Sequence, residues 1–218
     1  MSEQNKKIIK GLHQKDLTNI KFASALLDMA IEEKKDDLNF ALQQAEEVQK
    51  IAAKESRKKN SIEFANLYWK ATLMLAPYFF EDFLYYMEKD RKPEKRFYMP
   101  RRHTLKVVVD DLQDLEDDKL DFYGLSMPPR VGKSTICIFF MAWVMGKRPN
   151  SHNAMSGHSG ILADGFYSEA LNLMELNVPG DKRQYHFVDI FPQIFLQKKS
   201  AEKKEVTLND PDRFATLT

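Results

Sequence analysis

One stretch constrains this chain more than any other. Residues 120–127 form a short strand-like run that contains Phe122, Tyr123, Leu125 and Met127. The sequence Pro128-Pro129-Arg130-Val131-Gly132-Lys133-Ser134-Thr135 follows, and residues 136–146 then make an apolar, helix-like run. Strand, loop ending in Gly-Lys-Ser/Thr, then apolar helix is the setting in which such a loop holds phosphate. The residue types have physical reasons. Gly132 lets the backbone come close enough for successive N–H groups to surround phosphate oxygens. Lys133 offers a mobile ammonium to the terminal phosphates, and Ser134 offers a hydroxyl to Mg²⁺. A helix that starts there directs its positive end at the anion. The general pattern would place glycine at position 127, where this chain has Met127, and two prolines and an arginine fill the loop instead. The competing reading, an ordinary turn before a buried helix, leaves the Pro-Pro-Arg run and the lysine unexplained.

Composition excludes several classes. Hydrophobic residues are 43% and charged residues 30% of 218, which fits a folded chain with a sizeable core rather than a disordered one. Lys plus Arg is 33 against 32 for Asp plus Glu, so net charge argues neither for nor against nucleic acid. The single cysteine, Cys137, rules out an intramolecular disulfide framework and fits a reducing cytosol. It sits among Ile136, Ile138, Phe139 and Phe140, which reads as a buried, inert thiol. The N-terminus lacks an apolar core of signal-peptide length, and the longest apolar run is about half a membrane span. The expectation is a cytoplasmic protein with no membrane segment.

The first ninety residues read as helices. Leu17, Ile20, Ala23, Leu27, Ala30 and Ile31 recur at steps of three and four. After a charged break, Leu38, Ala41, Leu42, Ala45, Val48, Ile51 and Ala52 share a second face. Ser61 is placed to cap a third helix, and Pro77 suits the first turn of a fourth. The aromatic density from Phe64 to Tyr98 reads as helical core rather than a stacking platform. Charge then inverts. Residues 89–106 hold eight basic residues against two acidic ones, and residues 110–121 hold seven acidic residues and one lysine. Such blocks are usually solvated faces, though the basic one is also a candidate phosphate-contacting surface. Pro93 and Pro100 interrupt it, which puts the domain boundary near residue 90: residues 1–90 helical, residues 91–218 a second domain.

Met127-Pro128-Pro129-Arg130-Val131-Gly132-Lys133-Ser134-Thr135 resembles the Walker A segment of phage terminase large subunits, the ATPases that pump DNA into capsids. Upstream, Phe97-Tyr98-Met99-Pro100-Arg101-Arg102-His103 resembles the segment of that family that helps seat adenine. Downstream, residues 153–158 resemble the family's second strand, residues 159–176 the helix after it, residues 188–192 a short connector, and residues 213–218 a further strand. The resemblance covers about residues 91–218. It implies a three-layer α/β P-loop NTPase-type domain with an incomplete parallel sheet, preceded by a helical region. It implies ATP and Mg²⁺ held by Pro129, Arg130, Val131, Gly132, Lys133, Ser134 and Thr135, with Ser134 on the metal and His103 on the adenine side. Lys133 and Arg130 take the catalytic roles. For Arg130 two roles stay open: stabilising charge on the γ-phosphate, or a contact that serves binding or a salt bridge alone. For His103 the alternative is a capping or surface imidazole. The partners implied are double-stranded DNA, a portal protein, a small terminase subunit and a homo-oligomeric ring, in a bacterial host cytoplasm.

A P-loop ATPase also needs a hydrophobic strand ending in acids, to hold Mg²⁺ through water and to activate the attacking water. None follows Ser134. Val107-Val108-Val109-Asp110-Asp111 lies on the wrong side of the loop, and Leu105, Val108, Val109, Leu112 and Leu115 fit a helical face. No acidic cluster suits a two-metal nuclease. The isolated chain is therefore expected to bind ATP-Mg²⁺ weakly and to hydrolyse it slowly or not at all. Two other classes remain as alternatives: another P-loop enzyme such as a kinase or helicase-like ATPase, and a non-enzymatic helical module with a vestigial loop.

Overall fold

The computed structural model describes residues 16–157, 159–174, 185–200 and 205–208, together with Ile8, Gly11 and Leu12. The chain divides into two compact units, Met1–Ala76 and Pro77–Thr218.

In the first unit, three helices have starts set by polar caps. Asn19 accepts from the Lys21 N–H at 3.0 Å and opens α1 (Ile20–Glu33). Asp37 accepts from the Phe40 N–H at 3.0 Å and opens α2 (Leu38–Lys59). Ser61 accepts from the Phe64 N–H at 3.4 Å and opens α3 (Ile62–Leu75). Each cap satisfies an amide that the first helical turn leaves without a partner. Between α2 and α3 the chain reverses at Asn60, a left-handed residue with φ of 48°. The α2 helix carries a run of buried small residues, Ala41, Ala45, Val48 and Ala52, against which large side chains such as Leu27, Phe64 and Leu67 are also buried. The stripe of α1 turns slightly from the one the spacing suggests: Leu26 is buried and Ile31 is 39% exposed.

In the second unit an aromatic cluster forms the core. Its rings come from α4 (Phe80–Met87), α6 (Lys133–Lys147) and the single turn α8 (Phe187–Ile190) with the following Phe191, while α5 (Arg102–Glu116) packs beside α4, and α7 (Gly160–Met174) beside α6. Phe80 lies 5.2 Å from Trp143 and 5.3 Å from Phe140, ring centre to ring centre. Phe191 packs between Phe83 at 6.2 Å and Phe187 at 5.2 Å. At the other end of α6, Lys147 and Arg148 reach Glu116 at 3.1 and 3.0 Å, which ties the C-terminal ends of α5 and α6 together. Pro77 sits in the turn after α3, and α4 starts three residues later at Phe80, so Pro77 does not lie in the first turn of a helix. Val107, Val108, Val109, Asp110 and Asp111 all lie in α5, with Val108 and Val109 buried.

The three-layer α/β expectation is overturned. The regular secondary structure of the described residues is helical apart from one antiparallel ribbon, β1 (Leu196–Ser200) paired with β2 (Glu205–Leu208), and includes no parallel sheet. Residues 120–127 are extended, with Tyr123, Leu125 and Met127 half-buried and Phe122, Gly124 and Ser126 exposed, yet no described segment forms a ladder with them. A parallel strand is stabilised by neighbours on either side, and alternation in one segment does not supply them. Of the expected second strand, residues 153–158, only Asn153 among the described residues makes a bridge, and the strand expected at residues 213–218 lies outside the described residues.

Gly146, near the end of α6, meets the buried Phe191 ring closely enough that a Cβ has no room. Helix propensity alone favours Gly146→Ala by about 1 kcal/mol. Forcing a methyl into a ring held by Phe83 and Phe187 costs about 1–3 kcal/mol. Packing is expected to win, so urea denaturation should show Gly146→Ala less stable than the parent. A stabilised variant would mean that Phe191 does not pack there.

Candidate functional site

The loop before α6 has an unusual backbone. Arg130 adopts φ of 67° and Gly132 adopts φ of 100°, so two of three consecutive residues are left-handed. A non-glycine, non-Asn/Asp residue in this region stores strain of about 1–3 kcal/mol. Gly132 is the N-cap of α6 and no side chain caps the helix. The first-turn amides of an α-helix have no carbonyl partner within the helix, so they point outward as donors beside the positive end of the dipole.

These amides open on a cavity of about 410 Å³. Pro128, Pro129 and Arg130 line one side, and Gly132, Lys133, Ser134 and Thr135 line the helix side. Lys133 and Ser134 are exposed to it, while the next residue inward, Ile136, is fully buried. Phe97 and Arg101, from the segment between α4 and α5, complete the wall. Arg101, Arg130 and Lys133 therefore share one cavity, and none of its described lining residues is a carboxylate.

The Phe97 segment is held in place by buried polar contacts. Glu88, with no exposed surface, accepts from the Phe97 N–H at 2.6 Å and the Tyr98 N–H at 3.0 Å. Arg96 turns inward and donates to the Arg91 and Lys89 carbonyls at 2.8 and 2.9 Å. Tyr98 donates its hydroxyl to Glu81 at 2.7 Å, and Arg102 donates to the same oxygen at 2.8 Å. Burial, with help from Glu81, drives the Tyr98 hydroxyl far above its ordinary pKa, so it stays a donor. Phe97 then stacks on Phe139 of α6, centroids 5.6 Å apart, and also touches Gly132. Arg101 donates to the Phe97 carbonyl at 3.0 Å and lies over its ring.

Of the residues singled out from the sequence, Pro129, Arg130, Gly132, Lys133, Ser134 and Thr135 come together in this cavity. Val131 is half-buried and His103 is exposed near the start of α5, and neither lines the cavity. The chain matches no protein-family model, no curated protein and no solved structure. Phe97 and Arg101 also line the cavity; the sequence placed both in the segment resembling the one that helps seat adenine, but singled out only His103 there. Much of the basic block serves the fold, since Arg96 and Arg102 are taken up by internal hydrogen bonds. Burial raises the pKa of the Cys137 thiol against the opposing pull of Lys133, one turn earlier, which leaves it a poor nucleophile. Tyr123, bonded to Asp111, is pushed up to about 12 by burial and by that carboxylate, and it fastens the extended segment to α5.

Proposed function

We propose that residues 128–135 bind the polyphosphate of ATP together with Mg²⁺, and that the chain is the nucleotide-binding portion of a DNA-packaging ATPase of the terminase large-subunit kind. The observation that carries the phosphate reading is the cavity itself: three cationic side chains, uncapped helix amides and no carboxylate among the described lining residues. An anion bearing several charges suits such a lining, and a neutral ligand does not. The motor reading rests on the resemblance of residues 127–135, and duplex DNA, a portal protein, a small subunit and ring assembly come with it.

Mg²⁺ keeps most of its oxygens from water and substrate phosphate, so one hydroxyl from the protein is enough to fit it. Ser134 supplies that hydroxyl, and the metal would neutralise charge on the bound phosphates. Among the described residues no group of three or more His, Cys, Asp or Glu side chains could hold a metal alone, so Mg²⁺ would arrive with the nucleotide. Lys133 and Arg130 draw negative charge toward the helix end. None of the described residues lining the cavity is a carboxylate that could accept a proton from an attacking water, so the chain alone is expected to bind without appreciable turnover.

A thermal melt of the chain with ATP-Mg²⁺ tests this. Ligand at about 100 times its Kd adds roughly 2.7 kcal/mol, a shift of several degrees. The shift should vanish in Lys133→Ala. No shift at millimolar nucleotide would favour a helical interaction module with a vestigial loop. Turnover abolished by Lys133→Ala would contradict the absence of a base.

A further inference from the structure

A second cavity, of about 450 Å³, adjoins the first: Phe97 and Thr135 line both. From Lys133 to Ile138 is five residues of helix, about 7.5 Å, so this cavity lies one step along α6 from the phosphate end. Its floor is apolar, made by Ile138, Phe139 and Leu173, which are 2%, 1% and 4% exposed. Its aromatic wall is Phe97 stacked on Phe139, with Tyr185 set edge-on to Phe139 at 5.9 Å. The charge balance differs from that of its neighbour. Arg91 is occupied, donating to the Tyr185 hydroxyl at 2.6 Å and lying over that ring at 4.5 Å, and Glu169 supplies one negative charge. Among the described lining residues, the charged ones of the first cavity are all cationic, whereas the second has one of each sign, with an apolar depth and a polar rim.

We propose that this second cavity receives the adenine and ribose of the nucleotide, an inference that rests on the phosphate reading of the first cavity. A flat uncharged heterocycle with polar edges matches a cavity of this size with an aromatic wall and a polar rim, and a further phosphate beside Glu169 does not. Asn172 and Glu169 stand three residues apart on α7 and are exposed at the rim. The Asn172 amide offers a donor and an acceptor in the pairing that suits adenine N7 and N6. The Glu169 carboxylate is an acceptor for the ribose hydroxyls. This seats the base against α6 and α7 instead of at His103, which lines neither cavity.

The test is titration of the full chain with ATP-Mg²⁺, GTP-Mg²⁺ and inorganic tripolyphosphate-Mg²⁺. ATP should bind at least tenfold tighter than tripolyphosphate and severalfold tighter than GTP. Leu173→Trp, which fills the cavity, and Asn172→Ala at its rim should each weaken ATP about tenfold and leave tripolyphosphate within twofold. Asn172 is exposed, so its variant remains informative even where Leu173→Trp fails to fold. If ATP and tripolyphosphate bind equally and Asn172→Ala changes neither, the base lies in solvent and the proposal is overturned, with the phosphate site intact. Equal binding of GTP and ATP overturns the adenine assignment. If tripolyphosphate fails to bind and Lys133→Ala changes nothing, the phosphate site itself is absent and this proposal goes with it.

Discussion

Gly132→Ala is expected to destabilise the chain by about 2–5 kcal/mol and to weaken tripolyphosphate binding more than tenfold. Two terms add. The first is the backbone: Gly132 has φ of 100°, and an L-residue held in the left-handed region costs roughly 1–2 kcal/mol. The second is space. A Cβ at Gly132 would run into the Phe97 ring, and that ring has little room to retreat. Phe139 lies parallel to it at 5.6 Å, and the Phe97 N–H is fixed by Glu88 at 2.6 Å. Overpacking against a fixed ring adds about 1–3 kcal/mol. Urea denaturation should show a lower midpoint with an unchanged slope. Phe97→Leu separates the two terms: in the double variant the steric part disappears and the backbone part stays, so the two substitutions should be markedly non-additive. A Gly132→Ala chain as stable as its parent, or strict additivity with Phe97→Leu, would show that the ring does not sit on the loop.

The same contrast between local and distant causes explains what could be read from the sequence. The face of α2, the Ser61 cap and the helical character of residues 105–112 depend on spacings of three and four residues, and the structure carries all three. The start of α6 after Gly132 was also legible, because Gly-Lys-Ser-Thr before an apolar run is a local pattern. Residues 120–127 were misread as a strand because alternation reveals a two-faced extended segment and says nothing about its neighbours. Phe97 and Arg101 reach the loop because buried Glu88 folds the intervening chain back, a cause that no periodicity records. Asn172, Leu173 and Tyr185 gather around one cavity only because α7 and residue 185 come to the flank of α6. His103 drew notice from its place in a resembling segment, but α5 leaves it outside both cavities.

Glu88 is the point at which these distant causes converge, and its removal is the second large effect expected. Glu88→Ala leaves the Phe97 and Tyr98 N–H groups without their acceptor in a buried setting, at about 1–3 kcal/mol each. It also removes the carboxylate that stands 3.7 Å from Arg91, so both cavities lose a wall and ATP binding should fall with stability. The pH dependence identifies the group. Burial raises the Glu88 pKa from its ordinary 4.5, outweighing the two amides and the nearby Arg91 and Arg96 that pull it down. At low pH the carboxyl is protonated in both folded and unfolded chains and the shift has no effect. As pH rises, the unfolded chain loses its proton first, so stability falls between the ordinary value and the raised one and stays lower above it. Glu88→Gln keeps a carbonyl acceptor and a neutral group, so it should be less damaging than Glu88→Ala and should lack that component of the slope. Urea midpoints measured across the carboxylate range for the three proteins decide the matter: an Ala variant within 0.5 kcal/mol of the parent, or a Gln variant with the parent's full slope, would remove Glu88 as the residue that sets this wall.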